Sequence, residues 1–318
     1  MTHILKTRNA DPGMRCSFIV TPFGLSVIKS KPGRPRRSGK LSALAAVLLF
    51  SVGLTGCVNL KAVHDFAATS ADGQTMQTAA AQLADSPQRQ IQYVQDTNAI
   101  KSLEMSAAIG KTNQQAVLAA FGVIQKYMTT LATLAGDGIV ASNNAVAGLS
   151  QQLVASDLFG TDTNAPDAYG KLAGLVFKAA TDFYRQAQLR EMIERAAPCF
   201  PVAIATLQHI VTNDCVLELR TEMDAADQYY EILSGLQNPD TPKWAVVLVE
   251  DIHQDRKAAI QNKINICQQY GIVLGKIADG HAVMVKNLHH LGAKELASAL
   301  NGYQQQIAAV YEGLKKIK

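Results

Sequence analysis

The longest apolar stripe in the chain runs Ile204, Leu207, Val211, Cys215, Leu219, Met223, Ala226, Tyr230, Leu233, at spacings of three and four throughout. That period places all of these side chains on one face of an α-helix, whereas a strand would scatter them over both of its faces. The stripe therefore predicts a helix over 201–236. Comparable stripes lie on either side of it. Val117, Phe121, Ile124, Met128, Leu131 and Leu134 mark a helix over 112–134. Leu296, Leu300, Tyr303, Ile307, Val310/Tyr311 and Leu314 mark another over 293–317.

Turn chemistry cuts the sequence between the stripes. Ser86-Pro87, the Gly/Asp cluster at 135–138, the loop at 159–166, the Pro-flanked 198–201 and the Asn/Pro/Asp run at 235–242 all suit helix ends. Helices are expected over 59–85, 87–110, 112–134, 144–156, 166–197, 201–236, 243 to about 289, and 293–317. Ser86-Pro87 reads as an N-cap with proline at the first helical position. Gly280 and Gly292 read as points that break or loosen the penultimate helix. Over 166–197, Tyr169, Leu172, Leu175/Val176, Ala179, Phe183, Ala187 and Arg190 share one register. There is no convincing strand pattern and no fixed repeat period. The expected fold is all-α, an elongated up-and-down bundle of antiparallel helices forming a single domain over 57–318.

The first 56 residues have a different composition. Lys29, Lys31, Arg34, Arg36, Arg37 and Lys40 form a basic region, and 41–54 (LSALAAVLLFSVGL) is an apolar run too short for a comfortable membrane span. Leu54-Thr55-Gly56-Cys57 follows directly. This order resembles the signal peptide and lipobox of bacterial lipoproteins. The resemblance implies that 1–56 is removed, that Cys57 carries lipid as the first mature residue, and that the body is held on a membrane of the cell envelope. Val58 stands where aspartate is associated with inner-membrane retention, so the resemblance favours the outer membrane, facing the periplasm. Helical pattern resumes at about Asn59, which leaves almost no tether. No further segment of the body is expected to approach membrane-spanning length.

Removing the leader reverses the charge. The whole chain has 30 Lys+Arg against 26 Asp+Glu, but nine of the basic residues and one acidic residue lie in 1–56. The body keeps 21 basic and 25 acidic residues, a net of −4, with no Lys/Arg run. Nucleic acid is therefore not an expected partner, and neither is an anionic lipid surface recognised by charge.

Cys199, Cys215 and Cys267 remain in what would be an oxidising compartment, and their odd number leaves one free. If the helices ending near 236 and starting near 243 form an antiparallel hairpin about position 241, residues 215 and 267 stand at the same height. A Cys215–Cys267 disulfide is the expectation, with two unbonded core thiols as the alternative. Cys199–Cys215 is disfavoured, because one continuous helix would hold them more than about 20 Å apart.

Signs of chemistry are sparse. Glu250 and His253 have the Glu-x-x-His spacing of di-iron bundles, but there is no second copy. His281, His289 and His290 read as solvated histidines near a helix end. Glu191/Glu194 and Glu218/Glu222 read as solvated carboxylates beside Arg190, Arg195 and Arg220. Trp244 reads as a packing anchor and Tyr230 as a core residue. No catalytic residue, metal site or cofactor is expected. Two functions remain: a non-enzymatic envelope scaffold or accessory protein that binds another envelope component, and an inter-helix ligand carrier or metal-dependent enzyme using Glu222, Glu250 and His253.

Overall fold

A computed structural model describes residues 60–73, 76–136, 164–179, 185–235 and 241–317. The leader, Cys57 and the helix expected over 144–156 lie outside these residues. The described residues are all-α: α1 (Lys61–Ser70), α2 (Met76–Gln90), α3 (Thr97–Ala135), α4 (Asn164–Ala179), α5 (Arg185–Ala196), α6 (Phe200–His209), α7 (Cys215–Gly235), α8 (Lys243–Lys286) and α9 (Lys294–Leu314). They pack side by side around one apolar core.

The stripe over 201–236 is almost wholly buried, from Ile204 at 1 % exposure to Tyr230 at 8 %. Its members from Leu207 to Met223 are spaced by four, which would rotate them about 40° per step around a 3.6-residue helix. A π turn at Ile210–Asp214 between α6 and α7 absorbs that drift, because its wider turn takes an extra residue. Both Val211 and Cys215 consequently face the core.

Residues 59–85 are not one helix. α1 ends at Ala71, whose carbonyl accepts 2.8 Å from the Gln125 amide of α3. At Gly73 a Cβ would stand 2.4 Å from the Phe121 ring, so the chain passes where only glycine fits. Ser86-Pro87 is not a helix start either. α2 continues through Pro87 to Gln90, and Ser86 is buried. The cap of α3 is Asp96, whose Oδ1 accepts from the Ala99 N–H at 2.8 Å.

Gly110 does not end a helix. α3 runs through it for 39 residues, and at Gly110 a Cβ would come within 2.8 Å of the Ala84 carbonyl oxygen of α2. The glycine permits close approach of two helices. The unbroken α3 corrects a second expectation, because it is long and apolar enough to cross a membrane; 67 % of its most apolar window is packed inside the bundle. Gly271 and Gly280 play the same part in the 44-residue α8. A Cβ there would meet Thr212 Cγ2 at 2.1 Å and Phe66 Cζ at 2.2 Å, respectively.

Residues 166–197 form two helices, and the register does not carry across. Ala187 and Arg190 are exposed, while Leu189, Met192, Ile193 and Ala196 of α5 face the core.

α7 and α8 form an antiparallel hairpin. Cys215 and Cys267 are joined by a disulfide with Cα atoms 6.5 Å apart. Asp227 bonds His253 and Lys257 further along, each pair symmetric about position 241 to within about two residues. Cys199 is free and buried. Replacing Cys267 by serine releases a loop of 52 residues in the unfolded chain, and is expected to lower the unfolding free energy by roughly 2–4 kcal/mol. Thermal melts of parent and variant, with and without reductant, measure this. A parent whose melting is indifferent to reductant would show that the staple contributes nothing.

Candidate functional site

Three clusters of polar side chains lie in or beside the core, and each is assembled from different helices. The first centres on Glu222 of α7, which is 1 % exposed. Arg89 of α2 grips it with two bonds, Nε to Oε1 at 2.8 Å and Nη2 to Oε2 at 2.7 Å. Ser86 Oγ donates to Oε2 at 2.9 Å, and Lys263 Nζ of α8 donates to Oε1 at 3.5 Å. One turn earlier on α7, Glu218 Oε1 accepts from the Gln90 amide at 2.8 Å. Burial pushes the Glu218 carboxyl above its ordinary range, with the Gln90 bond opposing. Burial likewise lowers the Lys263 ammonium, and the charge of Glu222 opposes that shift.

These carboxylates are not a solvated face, and Arg190, Arg195 and Arg220 do not serve them. Ser86, Arg89 and Gln90 sit at positions i, i+3 and i+4, which puts them on one side of α2, and that side is pressed onto α7. Glu191 keeps the surface role expected of it, bonded to Lys178 at 2.8 Å and Arg195 at 3.1 Å.

The second cluster joins Asp227 to His253 Nε2 at 2.6 Å and to Lys257 Nζ at 2.9 Å. Burial opposes ionisation of Asp227, yet the bonds from His253 and Lys257 together hold its carboxyl below the usual range. Tyr230 stacks on the His253 ring at 5.0 Å, and Tyr93 and Tyr229 close the aromatic group around it. Glu250 is exposed and accepts from Gln254 at 2.7 Å. The structure thus brings Glu250, His253 and Glu222 to three different sets of partners, and not to one centre. Among the described residues there is no group of three metal-capable side chains.

The third cluster is the deepest. His281 is 1 % exposed, so it is not the solvated histidine expected from its place in the sequence. The Tyr127 hydroxyl lies 2.8 Å from its Nε2, and Phe200 stacks on its ring at 4.1 Å. Burial drives the imidazole down to about 3 and the Tyr127 hydroxyl well up. Burial also raises the Cys199 thiol, which donates to the Ala196 carbonyl at 3.5 Å. His289 and His290, in contrast, are exposed.

A neutral buried histidine sets the sign of a pH effect. In the unfolded chain it binds a proton near pH 6.5, and in the fold only near 3. The stability it contributes is complete above 6.5 and is lost as pH falls from 6.5 toward 3. Wild type should therefore lose up to about 1.4 kcal/mol per pH unit more than His281→Gln in that window. Urea midpoints at pH 7 and pH 4 read the difference, and parallel pH slopes in the two proteins would refute it.

Trp244 is 69 % exposed and is not a packing anchor, whereas Tyr230 is in the core at 8 %. No protein-family model matches the chain, and no curated protein or solved structure matches it either.

Proposed function

We propose that this chain is a lipid-anchored helical-bundle protein of the bacterial cell envelope, held through Cys57 and acting as a scaffold or accessory interaction protein, not as an enzyme. The observation that carries this reading is the order of basic region, apolar run and Leu54-Thr55-Gly56-Cys57. A second observation supports it. α1 begins at Lys61, with Val63, Phe66 and Ala67 fully buried, so a lipid on Cys57 would hold the bundle close against the bilayer. Val58 favours the periplasmic face of the outer membrane. The chemistry of the core supports an interaction role: Glu222, Asp227 and His281 are each engaged by partners from neighbouring helices.

The test is Cys57→Ser in the full-length chain. The expected result is loss of lipid, retention of the unprocessed leader or a shift in cleavage, and release of processed protein from the membrane fraction. A variant that stays membrane-bound at the same mass as the parent would sink the proposal.

A further inference from the structure

The free end of α8 carries an apolar face that the fold does not use. Its first fully buried side chain is Ile260; of the 17 residues before it, Val249 packs on the core and His253 stacks on Tyr230, so what leaves the core is the side turned away from α7. Trp244, Val247, Leu248 and Ile252 are 69, 58, 50 and 39 % exposed. Their spacing of i, i+3, i+4 and i+8 gathers them on one side of the helix, opposite the side that carries His253 toward α7. Asp251 and Asp255 follow on that same side, and Glu250 flanks it. Over 243–259 Lys243, Arg256 and Lys257 equal those three carboxylates in number. Arg256 and Lys257 lie off this side of the helix, however, Lys257 bonded to Asp227 of α7, so the apolar side itself carries Asp251 and Asp255 without a cation.

We infer that this tip docks, as a helix, into an apolar groove rimmed by Lys or Arg on another envelope protein. The inference deepens the interaction role proposed above and rests on it. Three observations select this occupant. The four spaced anchors, with a tryptophan at their head, match the way an amphipathic helix seats in a groove. The acidic rim complements a basic one and disfavours an anionic lipid surface. A second copy would bring two convex, acidic tips together. Four partly exposed side chains give well under the ~800 Å² per partner that a stable interface buries, whereas a groove also covers the flanks of the helix.

The position of the tip also separates it from the anchoring bilayer. Phe66 of α1 meets α8 at Gly280. α1 runs antiparallel to α3, since His64 approaches Gly136 while Ala71 bonds Gln125. α2 runs antiparallel to α3, with Gly73 at Phe121 and Ala84 at Gly110, and parallel to α7, with Ala79 at Cys215 and Ser86 at Glu222. Since α7 is antiparallel to α8, α3 parallels α8 and the start of α1 points away from the tip. Trp244 and Gly280 are separated by 36 residues of continuous helix, about 54 Å at ~1.5 Å per residue. Cys57 is three residues before Leu60, a reach of at most ~11 Å.

The experiment uses the full-length chain in cells, with a photo-reactive residue at position 248 and, as control, at exposed Gln305 of α9. The expected result is a protein adduct from 248 and not from 305. The cross-linked peptide should carry Lys or Arg beside apolar residues, and its yield should fall about 30-fold with Trp244→Ala and fall again with Asp251→Lys/Asp255→Lys. Because Trp244 is at the surface, circular dichroism and the intact disulfide verify that the variants fold. An adduct of twice the chain's own mass, a lipid adduct, an adduct indifferent to Trp244→Ala or to charge reversal, or no adduct at all would overturn the inference. Membrane fractionation of Cys57→Ser, run in parallel, reads the anchor independently of the adduct.

Discussion

Arg89→Met is expected to lower the unfolding free energy by about 3–5 kcal/mol. The reason is what it leaves behind. Glu222 has a side chain only 2 % exposed, and Arg89 supplies both of its short charged bonds. Lys263, at 3.5 Å, is a weaker partner. A carboxylate left in that position must be desolvated without compensation or must take up a proton. The loss is therefore a property of the pair. Glu222→Met placed in the Arg89→Met background should restore most of the stability, because two packed apolar side chains replace a buried ion pair at little cost. Lys263, 24 % exposed, can turn to water. The double-mutant cycle, by urea unfolding, should give a coupling of about 2–3 kcal/mol. If Arg89→Met costs less than about 1 kcal/mol, the network does not hold α2 to α7.

Phe66→Ala is the second large effect, at about 3–5 kcal/mol for an aromatic ring lost from a close-packed site. Phe66 is fully buried and stands over Gly280, the one position on that turn of α8 with no side chain to obstruct it. The complementary change, Gly280→Ala, pushes a methyl into the ring and should cost about 1–3 kcal/mol. The informative protein is the double variant. With the ring gone, the new methyl fills part of the cavity, so the double variant should be more stable than the sum of the two losses predicts. Thermal or urea unfolding of all four proteins measures this. Additivity to within about 0.5 kcal/mol would mean that Phe66 and Gly280 do not share the space assigned to them.

The two cases show which parts of the molecule were legible in the sequence. Apolar period was readable, because each stripe is set by geometry local to its own helix. Val117 to Leu134 and Ile204 to Tyr230 reach the core as spaced. Gly292 lies, as expected, in the break between α8 and α9, but Gly110 and Gly280 were misread, because their meaning depends on what lies opposite. Gly110 and Gly280 look like helix breaks until Ala84 and Phe66 are placed against them. Ser86-Pro87 misled for the same reason: the hydroxyl that suits an N-cap is spent on Glu222, 136 residues away. Ala187 and Arg190 were placed in register with Tyr169 to Ala179, yet both are exposed on α5, where Leu189, Met192, Ile193 and Ala196 face the core instead. His281 and Trp244 exchanged their expected places. A histidine near two exposed ones gave no sign of Tyr127, 154 residues distant, and a lone tryptophan gave no sign that its helix outruns the core. The hairpin reflection that pairs Cys215 with Cys267 needed only the turn position, so it was accessible before any coordinate.

α8 has one more consequence, in the distribution of local unfolding. Beyond Ile260 its backbone is roofed by buried side chains as far as Met284, and opening those amides requires the core to open with them. Before Ile260 the helix is held by its own i→i−4 ladder and by the few bonds from α7, so its first turns can fray while the rest stays shut. One continuous helix thus belongs to two cooperative units, with Ile260 at the seam. Reshaping the outer unit costs the inner one only what passes through Val249, His253 and Lys257, which tie it to the core and to α7.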